Sequence, residues 1–165
     1  MSSGRAPIQR VVTSGTFSLD GGTWEVDNNV WIVGDDHEVV VIDAAHSAEE
    51  ITAAIADRRL VAVVCTHASS PTARAARRRG RAGRAGHPRP LTRVDLPLRP
   101  ELSVLFSGDT LFQGGPGATG RSFSSFDTII ASIRDRLLTL PPHTQVRTAH
   151  GDSTSIGAEA PHLQE

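Results

Sequence analysis

The chain has 165 residues, 38% of them apolar, with 15 Gly and 10 Pro. That is enough for one loop-rich globular domain with a core of its own, and a formal net charge of −1 argues against a nucleic-acid or membrane-surface partner. The balance conceals a split: all 17 basic residues are Arg, and nine lie between Ala68 and Pro100 with a single acid, Asp95, so this window carries +8 while the rest carries 8 Arg against 17 acids.

Met1 to Arg10 holds no long apolar stretch, so no signal peptide is expected. No run approaches the ~18 apolar residues of a membrane span. Val11–Phe17 reads as a short strand, Gly21-Gly22 as a turn, and Thr23–Val33, with Trp24, Val26, Val30, Trp31 and Ile32, as the next strand. Gly34-Asp35-Asp36 is a second turn signal. Glu38–Ile42 is almost continuously apolar, the pattern of a strand buried on both faces. Asp43 ends it. Ser47, with Glu50 three residues on, starts a helix as a capping box; Ile51, Ala54 and Ile55 share a face, and the helix is expected to reach about Arg58.

Val61–Cys65 is expected to be another buried strand, followed by Thr66-His67. Strand, helix and strand in this order make a βαβ unit with a parallel pair. The single Cys65 cannot form an internal disulfide, which suits a reducing cytoplasm, and its apolar setting marks it as an inert buried thiol. Residues 68–100 have no apolar period, and runs such as Arg77-Arg78-Arg79-Gly80-Arg81 predict a solvated, disordered segment. Leu102–Phe106 is the next strand, ending at Ser107-Gly108-Asp109. Gly114–Gly120 is glycine-rich but lacks Walker spacing and any Lys, so it reads as a turn or active-site loop. Ser125–Leu138 is a helix stopped before Pro141-Pro142, with Ser122–Ser125 as capping residues; Gln145–Ala149 is a short strand ending at His150-Gly151, and Ala158–Glu165 starts a terminal helix.

Three potential ligands directly follow strands: His67, Asp109 and His150. Sites in α/β sheets gather at the carboxyl ends of strands, so these residues can converge. Imidazoles with a carboxylate suit Zn²⁺ with an open position for water, whose pKa the metal lowers to about 7. Asp43, also at a strand end, is the candidate for orienting a ligand histidine. Spacing alone leaves an ordinary reading open, with loop histidines and an Asp that merely forms a turn. His46 reads as a helix-entry residue, and His37, His143 and His162 as surface residues.

Four segments in succession resemble motifs of the metallo-β-lactamase superfamily: Val39-Val40-Val41-Ile42-Asp43, Val63-Val64-Cys65-Thr66-His67, Phe106-Ser107-Gly108-Asp109-Thr110-Leu111-Phe112 and Thr148-Ala149-His150-Gly151-Asp152-Ser153-Thr154. The third, with Gly114-Gly115, is most similar to the glyoxalase II-like branch of hydroxyacylglutathione hydrolases and relatives. The resemblance covers residues 10–67 and 101–165. It implies an α/β (α+β) fold, an αβ/βα sandwich with a one- or two-zinc centre at its edge, here incomplete, in a single domain over residues 1–165. It further implies His67 as a ligand of one metal, His150 as a ligand of the other, and Asp109 as the bridging, catalytic carboxylate. A metal-held hydroxide would then attack a thioester or ester carbonyl.

The chain departs from that pattern in its middle. After Thr66-His67 the family expects a second His and then an Asp-His pair, where this chain has Ala68-Ser69-Ser70-Pro71-Thr72-Ala73. A further histidine segment of the type T-P-G-H-S-P-G-S is also missing. His87–Pro100 can be encoded so that a shift of one base reads T-P-G-H-S-P-G-S-T-C-L-Y-A-P, the missing motif at its proper place. Residues 68–100 are therefore expected to be an out-of-frame stretch of a gene that also lost part of its middle.

Three functions compete. The first is a zinc hydrolase of small thioesters or esters, impaired by its missing ligands. The second is an inactive, decayed product, and the third is an Arg-rich module binding anions or nucleic acid. No nucleic-acid fold or interleaved aromatics accompany the Arg cluster, so nucleic acid is not the expected partner. The sequence names no substrate-binding residue and no oligomeric state.

Overall fold

The structure, a computed structural model, describes residues 8–19, 21–66, 103–117 and 126–163. They fall into two compact units, one within Met1–Pro90 and one within Leu91–Glu165. The Arg-rich window 68–100 lies outside the described residues.

In the first unit β1 (Ile8–Leu19) and β2 (Gly22–Gly34) form a long antiparallel ribbon, paired from Ile8 opposite Val33 to Leu19 opposite Gly22. β1 thus extends beyond the expected Val11–Phe17 at both ends. β3 (Glu38–Ile42) pairs antiparallel with β2. The turn between them is held by Asp35, whose Oδ1 accepts the N–H groups of His37 and Glu38, each at 2.8 Å. These two bonds hold the Asp35 carboxyl below the usual carboxylate range.

α1 (Ala48–Ile55) begins as the capping residues predict: the Ser47 hydroxyl accepts the Glu50 N–H at 3.2 Å. It stops at Ile55, short of the expected Arg58. Ala56 adopts φ 54°, and Arg58 folds back so that its guanidinium donates to the carbonyls of Ala54 (2.5 Å) and Ile55 (2.9 Å). The Ile55 carbonyl also accepts the Arg58 N–H at 3.3 Å, and a cation is favourable at a helix C-terminus. Ile51 and Ile55 face Val39 and Val41 in the core of this unit. β4 (Arg59–Val64) then runs parallel to β3, completing the βαβ unit and the sheet order β1-β2-β3-β4.

β4 corrects one expectation. It is an edge strand among the described residues, with Leu60 45% and Val61 51% exposed, not a buried strand. A short apolar run does not reveal whether a strand is central or peripheral, because its hydrophobicity is compatible with either.

In the second unit β5 (Val104–Gly108) and β8 (Gln145–Thr148) are parallel, and β9 (Thr154–Ser155), a strand the sequence did not predict, runs antiparallel to β8. A small hairpin, β6 (Leu111–Phe112) with β7 (Gly115–Pro116), follows β5. α2 (Phe126–Ser132) passes into a π-helical turn over Ile133–Leu137, closed by the Leu138 N–H on the Ile133 carbonyl at 3.0 Å. The sequence predicts one uninterrupted helix over 125–138. The wider turn buries Ile133 and Leu137 together while Arg134 donates to the Leu163 carbonyl at 2.7 Å. α3 (Ile156–Leu163) starts directly after β9, two residues before the expected Ala158. Leu105, Leu111, Ile133, Leu137, Val146 and Ile156 make the core of this unit. No helix among the described residues is long and apolar enough to cross a membrane.

Candidate metal centre

The carboxyl ends of β5 and β8 lie side by side, and the residues that follow them meet. The backbone sets this up: the Ala149 N–H reaches the Gly108 carbonyl at 3.2 Å, tying together the two strand ends one residue before His150 and one before Asp109. His150 Nε2 lies 3.5 Å from Asp109 Oδ1, with the side chains 38% and 48% exposed. Beyond Asp109 the Thr110 N–H bonds the Ser107 carbonyl (3.0 Å) and the Ser107 hydroxyl bonds the Leu111 carbonyl (2.7 Å), so the chain turns sharply into β6. Gly117 returns past this turn, its N–H on the Thr110 carbonyl at 3.1 Å. A Cβ at that position would overlap the Asp109 carbonyl, so only glycine permits the approach. Phe112 stands over His150, with ring centroids 6.1 Å apart and a tilt of 34°, a favourable aromatic arrangement.

In the first unit Asp43 is buried and turns with φ 55°, a conformation Asp tolerates better than most residues. Its two carboxylate oxygens accept the backbone N–H (2.7 Å) and hydroxyl (2.6 Å) of Thr66. Among the described residues these bonds tie Asp43 to Thr66, immediately before His67, the histidine whose orientation the sequence assigns to it. His67 itself lies outside the described residues, as do Ser122–Ser125 and Ala118–Gly120. Cys65 is half-buried, and burial first, then the Asp43 charge, pushes its thiol above the usual range.

Among the described residues, the remaining histidines lie apart from this pair. His46 enters α1, as expected, with its ring lying on Gly15 where no Cβ would fit, and its Nε2 is 2.8 Å from Asn28 Oδ1. His37, His143 and His162 are at the surface.

Asp109 and His150 fit the role of metal donors in part. A carboxylate oxygen and an imidazole nitrogen converge at the partly open ends of parallel strands, which is the right chemistry for Zn²⁺ or iron. They are two donors where a hydrolytic zinc takes three from protein, and among the described residues no cluster of three or more His, Cys, Asp or Glu gathers. The sequence singled out both donors but assigned no function to Phe112, which the hairpin brings to His150; nothing in its spacing marks it apart from the motif that contains it.

No family model matches the chain. Among solved structures, BLEG-1 B3 metallo-β-lactamase superposes with a TM-score of 0.64 at 22% identity, covering 93% of this chain and 100% of that one. TTHA1623, solved in a di-iron-bound form, gives 0.60 at 26% identity over 90% and 97%. The fold is that of the metallo-β-lactamase superfamily. Curated relatives agree over shorter stretches. The hydroxyacylglutathione hydrolase GloC of Haemophilus influenzae is 44% identical over 59 residues, and the probable metallo-hydrolase YqgX of Bacillus subtilis 42% over 59; each match takes in 36% of this chain and 28% of the relative. An uncharacterized 11.5 kDa protein from the thcD 3′ region of Rhodococcus erythropolis is 67% identical over 51 residues, 30% of this chain and 48% of that protein. The chain thus spans between about a quarter and a half of the length of these relatives. The matched relatives from Bacillus subtilis and Haemophilus influenzae carry hydrolase names, and TTHA1623 was solved with two irons bound.

Proposed function

We propose that this chain is a metal-dependent hydrolase of the glyoxalase II-like type, cytoplasmic, with Zn²⁺ as its metal and a thioester or ester as its substrate, and that its turnover is low because its ligand set is incomplete. The observation that carries the reading is the 3.5 Å approach of His150 Nε2 to Asp109 Oδ1 at the ends of adjacent parallel strands. The name of the Haemophilus influenzae relative supports the thioester.

Asp109 and His150 would hold the metal, which supplies a water of lowered pKa and a Lewis-acid contact for the carbonyl. The chain's own residues do the rest. The Gly108–Ala149 bond fixes the spacing of the two donors, and the Phe112 ring, with its centroid 6.1 Å from that of His150, packs beside the imidazole. With part of a coordination shell and its supporting partners missing, metal affinity falls by orders of magnitude, since losing a supporting partner alone costs about 10- to 100-fold.

Elemental analysis of the purified protein, combined with an S-lactoylglutathione hydrolysis assay, tests this. Metal bound by the chain together with thioester cleavage supports the hydrolase, whereas protein that takes up no zinc and cleaves no thioester defeats it. A second reading, an inactive product of a decayed gene, is favoured by a specific feature of the sequence: His87–Pro100 can be encoded so that a shift of one base reads the missing histidine motif. The coding DNA decides it, since an alternative frame that does not read T-P-G-H-S-P-G-S removes the frameshift.

A further inference from the structure

Glu159 is an acid where a leucine would be expected. On α3 it shares a face with Ile156 and Leu163, both in the core, and it is only 2% exposed. A buried carboxylate is costly unless its oxygens are engaged. Both are. Oε2 accepts the backbone N–H of Gly114 at 3.0 Å, and Oε1 accepts the Thr154 hydroxyl at 2.6 Å.

These two partners sit on the two segments that carry the candidate donors. Gly114 is at the tip of the β6–β7 hairpin, whose first strand begins two residues after Asp109 and brings Phe112 over His150. Thr154 opens β9, paired with Val146 of β8, and the turn between β8 and β9 contains His150. That turn is also closed by the Thr148 hydroxyl on the Asp152 carbonyl at 3.1 Å. One buried side chain therefore clamps the loop after β5 to the turn after β8.

We infer that Glu159 is a positioning residue for the Asp109–His150 pair, acting through the β6–β7 hairpin and the Phe112 ring. Its contribution to metal binding rests on the hydrolase reading; its hold on His150 does not. Glutamine can replace it, because the side-chain carbonyl still accepts from Gly114 while the amide N–H donates to the Thr154 oxygen, a hydroxyl being both donor and acceptor. Alanine strands the Gly114 N–H and the Thr154 hydroxyl together.

The test uses the full chain without added metal and follows the imidazole C–H signals of His150 by NMR, with His46 of the other unit as the internal reference. Phe112→Leu removes the ring current and shows where His150 resonates without it. Glu159→Ala is expected to move the His150 signals in the same direction, with the Phe112→Leu double variant adding nothing further, and Glu159→Gln is expected to leave them in place. His46 stays unmoved throughout. The inference is overturned if Glu159→Ala leaves His150 at its wild-type position, or if Glu159→Gln moves it as far as alanine does. Should Glu159→Ala fail to fold, Thr154→Ala, which removes one of the two bonds, is expected to shift His150 part of the way; an unshifted signal overturns the inference equally. Zn²⁺ titration against a chromophoric chelator completes the experiment, with Glu159→Ala binding about 10-fold or more weakly than wild type. Wild-type protein that takes up no zinc sinks the metal reading and leaves the His150 spectra to decide Glu159.

Discussion

Asp43 occupies a backbone conformation that costs an ordinary L-residue about 1–2 kcal/mol, and it uses the position to receive both Thr66 donors at the end of β4. Asp43→Ala should lose stability on both counts, the strain and the stranded polar groups, which at about 1–3 kcal/mol for an unsatisfied group totals about 2–5 kcal/mol in urea denaturation. Asp43→Asn should cost about half as much or less, because Asn tolerates the same φ and its amide can satisfy both Thr66 groups. Cys65 stands next to this lock, and its raised thiol pKa has a definite sign. At neutral pH its thiolate fraction is below that of a free cysteine, so alkylation by iodoacetamide should be slower than for glutathione at pH 7, with its rate rising only at higher pH. The same shift means that the folded state is favoured at pH values below the unfolded thiol's pKa and loses that advantage as pH climbs through the folded value. Asp43→Asn, by removing the neighbouring charge, should speed alkylation at pH 7; an unchanged rate would leave burial as the sole cause.

Elements with a strong period or a clear cap were legible in the sequence, and their boundaries were less so. The Ser47 cap and the β3-α1-β4 crossover follow from residues within a few positions of one another. The early stop of α1 depends on Arg58 turning back onto the Ala54 and Ile55 carbonyls, and Arg is a good helix former that gives no sign of it. The π-helical turn has the same origin, in core packing around Ile133 and Leu137 that no local pattern announces. The donors Asp109 and His150 could be found because both follow strands directly; Glu159 was missed because a Glu reads as surface unless its i−3 and i+4 neighbours are weighed with it. The edge position that β4 holds among the described residues was not readable either, since it depends on which strand is its neighbour. It carries a prediction: Val61→Lys, at a site half open to solvent, should change stability by no more than about 0.5 kcal/mol and reduce light scattering on concentration, because a charge on an edge strand opposes intermolecular pairing. In the other unit, fully buried Leu111 anchors the hairpin that carries Phe112, and Leu111→Ala should cost about 2–5 kcal/mol by denaturation, since its cavity cannot collapse between the π-helical turn and β8.

At the scale of the whole chain, the segregation of charge acquires a different meaning from a partner surface. An Arg-only basic complement with no Lys and no Tyr is what GC-rich codons produce, and clustering of nine Arg in residues 68–100 is what a displaced reading frame through such codons produces. Either the window is a genuine basic insertion, or it overlies the segment from which the family draws metal ligands. Replacing His87–Pro100 by T-P-G-H-S-P-G-S-T-C-L-Y-A-P separates these. The replacement removes Arg89, Arg93, Arg99 and Asp95, so net charge falls by two, which by itself adds a modest, salt-sensitive attraction for any cation. It also exchanges His87 for a histidine three positions further on, in the family's setting, and introduces a cysteine; an imidazole placed there acts through coordination, which salt does not screen. The restored chain should therefore retain more zinc per molecule than the natural one after gel filtration, and the excess should persist in 0.5 M salt, roughly a regime in which surface charge effects are damped. A second variant with Ala in place of the new histidine has the same charge and should fall back to the natural chain's zinc content. If the two variants hold equal zinc, the excess comes from the changed charge or the introduced cysteine and not from the histidine, and the basic window is an insertion in its own right and not a displaced reading of the family's ligand segment.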